Sequence, residues 1–250
     1  MLSELCGDSP PLRSTRTVCD ASRVFCPQIR LAFAIGGIDF VDERVPFADW
    51  PALKPTTKYG QLPLMTIGDG EEIAQSDAML RYAGKLGGLV PSDLQTELKM
   101  NEAMGLETDI YRVILPAMYI GFDSYRPKFG HEGLTPEQVK ALQKKLRGDI
   151  IGSDEKPGEL MVLLKKLDEQ LAASTWLAGE QLTIADCQMI PRLVHLSTGV
   201  MDHIPTTILD TFANIKTYMA NFQAIPQVKA FYDDLETKKK AAEEATKEQK

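Results

Sequence analysis

The chain has 250 residues, of which 44% are apolar and 25% charged; these ordinary globular values exclude collagen-like and wholly disordered chains and leave room for one large or two modest domains. With 35 acidic against 28 basic side chains the net charge is −7, which repels phosphate backbones and argues against nucleic acid as a partner. Cys6, Cys19, Cys26 and Cys187 are too few for a disulfide framework and show no CxxC or zinc-ligand spacing, so no metal is expected.

Residues 1–11 end in a Pro-Pro break and read as a loose leader over residues 1–12. An opening strand is expected within Leu12 to Asp20, although that stretch is polar for a central strand. Ile29, Ala32, Phe33 and Gly36 recur at helical spacing, and Gly36-Gly37 supplies a left-handed stop. Ile38 to Val45 reads as a strand, and Pro46, Pro51 and Pro55 make residues 46–58 a connector. Leu62 to Ile67 and Glu71 to Gln75 read as a hairpin turning at Gly68-Asp69-Gly70. Ser76 is placed to cap a helix that Gly87-Gly88 stops. Beyond Pro91 the pattern turns helical, over 97–125, 135–147, 158–174, 183–199 and 208–236. Thr183 and Asp186 are spaced as a capping box, with Leu182 and Cys187 as its apolar staple. Residues 237–250 form a polar tail.

Three short runs are sharper than composition: Trp50-Pro51-Ala52-Leu53-Lys54, Tyr59-Gly60-Gln61-Leu62-Pro63 and Ala74-Gln75-Ser76-Asp77-Ala78. Together they resemble the glutathione-binding half of cytosolic glutathione S-transferases, most closely the sigma type. Thr175 to Gly179 followed by Leu182 to Asp186 resembles that family's helical-domain signature, and residues 221–228 its last helix. The resemblance implies an α/β plus all-α fold. A thioredoxin-like glutathione-binding domain would span 13–91, and an all-helical glutathione-transferase domain 97–236.

Glutathione carries two carboxylates, an amine and a thiol, and the residues can be read against those groups. In the family Pro63 is cis, and the main chain of Leu62 pairs with the cysteinyl unit as an added strand would. Leu-Pro alone also suits an ordinary turn; Gln61 before it and Gln75-Ser76 after it turn the reading toward a peptide site. The first N–H groups of the helix at Ser76 lack internal acceptors and suit the γ-glutamyl carboxylate. Trp50 and Lys54 suit the glycine carboxylate, by the indole N–H and by charge.

The chemistry requires the thiol as a thiolate, and a free thiol with pKa about 8.5 is mostly protonated at neutral pH. Sigma-type members stabilise the thiolate with a tyrosine, and this chain has none before Tyr59. Counting back from Ile29-Arg30-Leu31 puts Cys19 at the tyrosine position and Ser22 near that of serine-type members. Ser22 ranks first as the catalytic donor and Cys19 second. Cys26 ranks third, because Cys26-Pro27 resembles the omega-type pair out of register.

The implied function is conjugation of glutathione, as co-substrate, to a hydrophobic electrophile, or a related glutathione-dependent isomerisation. Tyr111, Ile114, Leu115 and Met118 are expected to wall the acceptor pocket between the domains. A homodimer is expected, with Tyr59 as the aromatic plug. No apolar run approaches the roughly 18 residues of a membrane span, and residues 1–12 show no secretory pattern, so no membrane partner and a cytoplasmic location are expected. Two rival readings are a non-catalytic member of the fold and a glutathione-dependent thiol reductase.

Overall fold

The computed structural model describes residues 15–20, 26–46 and 48–248. The chain divides into two units, one of residues 1–91 with 222–250 and the other of residues 92–221.

The first unit is a four-stranded sheet with helices. The strands are β1 (Thr15–Asp20), β2 (Val41–Val45), β3 (Leu64–Ile67) and β4 (Ile73–Ala74), in the order β2-β1-β3-β4. β1 runs parallel to β2 and antiparallel to β3, and β3 and β4 form a hairpin. The parallel pair requires a crossover, and α1 (Pro27–Ile35) supplies it. Ile29, Leu31, Ala32 and Phe33 of α1 are buried, together with Leu64 and Met65 of β3. Arg30 is buried in the same helix, and its Nε donates to Asp42 of β2 at 2.8 Å. That bond gives the buried charge an acidic partner.

The sequence assigns both glycine pairs to helix stops, and the structure divides the labour within each. Gly37 and Gly88 take the left-handed turns. Gly36 and Gly87 let α1 and α3 (Ser76–Leu86) touch backbone to backbone, since a Cβ on Gly36 would lie 2.6 Å from the Gly87 Cα.

Several boundaries differ from the sequence expectation. β2 starts at Val41 rather than Ile38, and β3 at Leu64 rather than Leu62. Residues 46–58 contain one helical turn, α2 (Trp50–Leu53), which runs into a 3₁₀ turn at Lys54–Thr56. Ser76 is the first residue of α3 and not its cap; the N-cap position belongs to Gln75.

The second unit is helical: α4 (Leu94–Tyr119), α5 (Pro136–Ile151), α6 (Glu159–Leu171), α7 (Ile184–Ser197) and most of α8 (Ala213–Gln223). Asp93 opens α4 by accepting from the Thr96 N–H at 2.8 Å. Leu160, Leu164, Leu167 and Leu171 of α6 are buried, each contributing about 1.5–3 kcal/mol by leaving water.

The helix expected over 208–236 is two helices. α8 ends at Gln223, and α9 (Pro226–Glu248) begins again at Pro226. A proline has no N–H to donate within a helix and suits its first position. The start of α8 is capped from outside: Asp168 of α6 accepts from the Ile215 N–H at 2.9 Å and from Asn214 Nδ2 at 3.1 Å. α9 packs on α1 in the first unit. Among the described residues no helix is long and apolar enough to cross a membrane.

Candidate glutathione site and the helical-unit polar seam

β3 and β4 position the sequence-predicted peptide site. Leu64 pairs with Ala74 at one end of the hairpin ladder. The chain leading in from Leu62 and the chain leading out to Ser76 therefore emerge side by side. The Leu62–Pro63 bond is cis, as the resemblance implies. Pro63 is buried and Leu62 half-buried. The N–H and C=O of Leu62 have no backbone partner among the described residues. Across from them, Gln75 has a positive φ of 82° and is exposed, and Ser76 is half-buried at the start of α3. The first N–H groups of α3 have no acceptor within the helix, and neither Gln75 nor Ser76 covers them with a side-chain cap.

The connector carries the other two residues. Trp50 opens α2 and is half-buried, and Lys54 follows α2 and is exposed. Thr57 fixes the Lys54 main chain, its hydroxyl donating to the Lys54 carbonyl at 2.9 Å. The aliphatic stem of Lys54 runs along Gly60, where an added Cβ would stand 3.7 Å from Lys54 Cε. Gln61, one residue on, is exposed.

Of the three candidate thiolate donors, Cys19 and Cys26 are among the described residues. Ser22 is outside the described residues. Cys19 lies on β1 opposite Arg44 of β2. Cys26 occupies the N-cap of α1 with φ 63°, directly before Pro27 at the first helical position, and is buried.

The Thr183–Asp186 box is present at the start of α7. Asp186 is fully buried and accepts four hydrogen bonds. One oxygen takes the Leu177 N–H at 3.0 Å and the Tyr218 hydroxyl at 3.1 Å. The other takes the Thr183 N–H at 2.7 Å and the Thr183 hydroxyl at 3.1 Å. Burial pushes the carboxyl above its ordinary range, while these donors pull it back. Burial also raises the Cys187 thiol well above its usual value, which makes it an inert core group.

Of the four residues expected to wall an acceptor pocket, Tyr111 borders a polar seam. Ile114 is fully buried, whereas Tyr111, Leu115 and Met118 are half-buried on α4. Glu107, one turn before Tyr111, is only 4% exposed. It accepts from Gln188 Nε2 at 2.7 Å and from Arg192 Nε at 2.8 Å, both on α7. The Arg192 guanidinium lies 4.3 Å from the Tyr111 ring centre. Burial and the neighbouring Tyr111 raise the Tyr119 hydroxyl above its ordinary value. Burial and Arg192 lower His195. Sequence reasoning does not find this seam. Its available signal is Glu107 standing at a core position of the α4 stripe formed by Met100, Ala103, Met104 and Ile110.

Two clefts of about 590 and 620 Å³ open on the helical unit, one beside Met161, Val162 and Phe212, the other beside Lys140, Lys144 and His203. Neither includes a sequence-predicted site residue.

Comparison with known proteins agrees with this architecture. The family described as "Glutathione S-transferase, C-terminal domain" matches residues 154–235, a span that includes the Thr183–Asp186 box. Glutathione S-transferase 1 of Ascaris suum is 29% identical over 200 residues, covering 80% of this chain and 86% of the relative. The solved prostaglandin synthase D of Nilaparvata lugens superposes with a TM-score of 0.71 at 22% identity, over 88% of this chain and 97% of that one. The Ascaris lumbricoides glutathione S-transferase structure gives a TM-score of 0.64 at 25% identity, over 88% and 97%. With a four-stranded sheet unit, a helical second unit and relatives matched along most of their length, the chain is similar to glutathione S-transferases over both units.

Proposed function

We propose that this chain is a glutathione transferase. It joins the thiolate of glutathione, a co-substrate, to a hydrophobic electrophile, in detoxification or a related glutathione-dependent isomerisation. Residues 13–91 form the glutathione-binding domain and 97–236 the helical domain; the protein works in the cytoplasm as a homodimer. The observation that carries the reading is the main chain of Leu62, unpaired among the described residues, emerging beside the uncapped N-terminus of α3. An extended peptide adds to the first through N–H and C=O, and its carboxylate suits the second.

In this reading Leu62, preceding Pro63, pairs with the cysteinyl unit. Gln75, Ser76 and the α3 N-terminus hold the γ-glutamyl carboxylate. Lys54 and Trp50 take the glycine carboxylate, and Gln61 adds a polar contact. Calorimetric titration with glutathione tests it. Lys54→Ala and Ser76→Ala should each weaken binding several-fold, since charge-assisted bonds contribute about 1.5–3 kcal/mol before solvent screening at exposed Lys54. Unchanged affinity in both variants would remove the site.

The dimer is supported by exposed apolar groups. Tyr59 is 57% exposed, and Leu94 and Leu98, one turn apart on α4, are 81% and 70% exposed. Sedimentation at micromolar concentration should show twice the chain mass, and Tyr59→Ser should shift the population toward monomer. A monomeric wild type refutes this part.

A second reading, glutathione-dependent thiol reduction, is favoured by one observation. Cys26 stands at the N-terminus of α1, where unpaired N–H groups favour a thiolate.

A further inference from the structure

The cleft of about 620 Å³ on the helical unit is basic. Lys140, Gln143 and Lys144 of α5 border it, together with Asp202 and His203 of the chain beyond α7. All of these residues belong to the second unit, and none is part of the proposed glutathione site. Lys140 and Lys144 are one helical turn apart and share a face of α5, which Arg147 continues. Both lysines are exposed, and neither makes an ion pair among the described residues. Their neighbour Lys145 is already paired, with Asp149 at 2.5 Å.

The other border of the cleft is a fixed turn. Met201 and Ile204 are buried, and the Ile204 N–H donates to the Met201 carbonyl at 3.2 Å. Between them His203 has a φ of 65°, a left-handed backbone that ordinarily favours glycine. Arg147, only 5% exposed, clamps this turn from α5. Its Nη1 donates to the Asp202 carbonyl at 2.7 Å and its Nε to the Ala117 carbonyl at 3.2 Å. Burial works against the Arg147 charge, and the Asp202 carboxylate supports it.

The charges decide the class of ligand. Lys140, Lys144 and Arg147 are all cations, and Asp202 is the one acid at the cleft. A lysine ammonium donates and cannot accept, so the cleft offers donors to an anion rich in acceptors. A carboxylate brings one charge, and its planar fork suits arginine better than lysine. A phosphate monoester brings about 1.5–2 charges at neutral pH and three strong acceptor oxygens, which two point-charge lysines can share. The net charge of −7 opposes a long polyanion, so the ligand is small.

We propose that this cleft binds the phosphate group of a small, soluble phosphate monoester, with Lys140, Lys144 and His203 as its contacts and Arg147 as the residue that positions the His203 turn. The site goes beyond the transferase reading and does not depend on it.

Glycerol 3-phosphate is the probe, titrated into the full chain in about 0.15 M chloride while the histidine ring signals are followed by NMR. His203→Gln assigns the His203 signal. In wild type that signal should move saturably while those of His131 and His195 stay in place, and glycerol should move none of them. Lys140→Gln and Lys144→Gln should each raise the Kd about threefold, and the double variant about tenfold, the range for charge contacts at exposed side chains. Lys145→Gln should leave the Kd unchanged. Both lysines are exposed, so these variants keep the core intact and the test does not hang on folding. A His203 signal that does not saturate, a double variant that binds like wild type, or an equal loss in Lys145→Gln overturns the site. Cosedimentation with phosphatidic acid vesicles, without binding of glycerol 3-phosphate, overturns the assignment to a soluble ligand.

Discussion

Asp186→Ala should destabilise the protein by about 3–5 kcal/mol, because it strands buried neutral donors that cost about 1–3 kcal/mol each when left without an acceptor. Four donors converge on that carboxylate, and two of them, the Leu177 and Thr183 N–H groups, are main-chain atoms that cannot turn away. The α7 start, the 177 turn and Tyr218 of α8 lose their common anchor together. For a chain of this size such a loss lowers the melting temperature by roughly 10 °C or more. Asp186→Asn should recover only part of it. Each carboxylate oxygen accepts two bonds, so an amide NH₂ must face two donors whichever way it points. The pH dependence has a definite sign. With the carboxyl raised above its ordinary value by burial, the folded state holds this proton more tightly than the unfolded chain. The Asp186 contribution therefore favours folding most below the ordinary carboxyl pKa and declines as pH rises through the raised value. Asp186→Asn should flatten that slope in urea unfolding followed across pH. A variant that melts with wild type would show that the four bonds contribute no net stability.

What can be read from the chain divides by the kind of signal. The hairpin, the Thr183–Asp186 box and the leucine face of α6 are legible because each is written within a few residues of itself. The Gly36–Gly87 contact is not, since its partners lie far apart in the chain and each glycine also fits a stop signal. Asp168, which caps α8 from α6, looks like any surface acid of an amphipathic helix. The break at Pro226 is hidden because residues on both sides favour helix, so the proline that starts α9 reads as lying inside one long element. At the peptide site, the sequence places Gln75 and Ser76 in the correct turn but exchanges their roles. Serine is the better cap by propensity, yet Gln75 takes the cap position, and its positive φ is not written in its residue type. The Glu107–Arg192 pair spans two helices, and periodicity ranks faces without naming partners.

Ser22→Ala should cut the conjugation rate by about 10²-fold, the usual loss on removing one oriented donor to a developing or fixed anion. It should leave the glutathione Kd near wild type, because the hydroxyl acts on the ionised sulfur and not on the peptide's ends. The chain has no tyrosine before Tyr59, so the roughly 2.7 kcal/mol needed to lower a thiol by about 2 pKa units must come from elsewhere. The α1 N-terminus contributes about 0.3–1 kcal/mol by its dipole, which falls short alone. If Ser22 is the donor, its hydroxyl supplies the remainder, and the absorbance of the bound thiolate should then titrate higher in Ser22→Ala. The cysteines make a different forecast. If Cys26 is the working group, its thiolate attacks the sulfur of a glutathione mixed disulfide, forms a new S–S bond and expels the other thiolate. A second glutathione then releases it. That protein gains one glutathione in mass, reduces mixed disulfides, and loses both properties in Cys26→Ser. Cys19→Ser separates the strand cysteine in the same assay. Loss of conjugation in Ser22→Ala with both cysteine variants active assigns the thiolate to the serine. Disulfide reduction that vanishes only in Cys26→Ser assigns the chemistry to the start of α1 and overturns the ranking of Ser22.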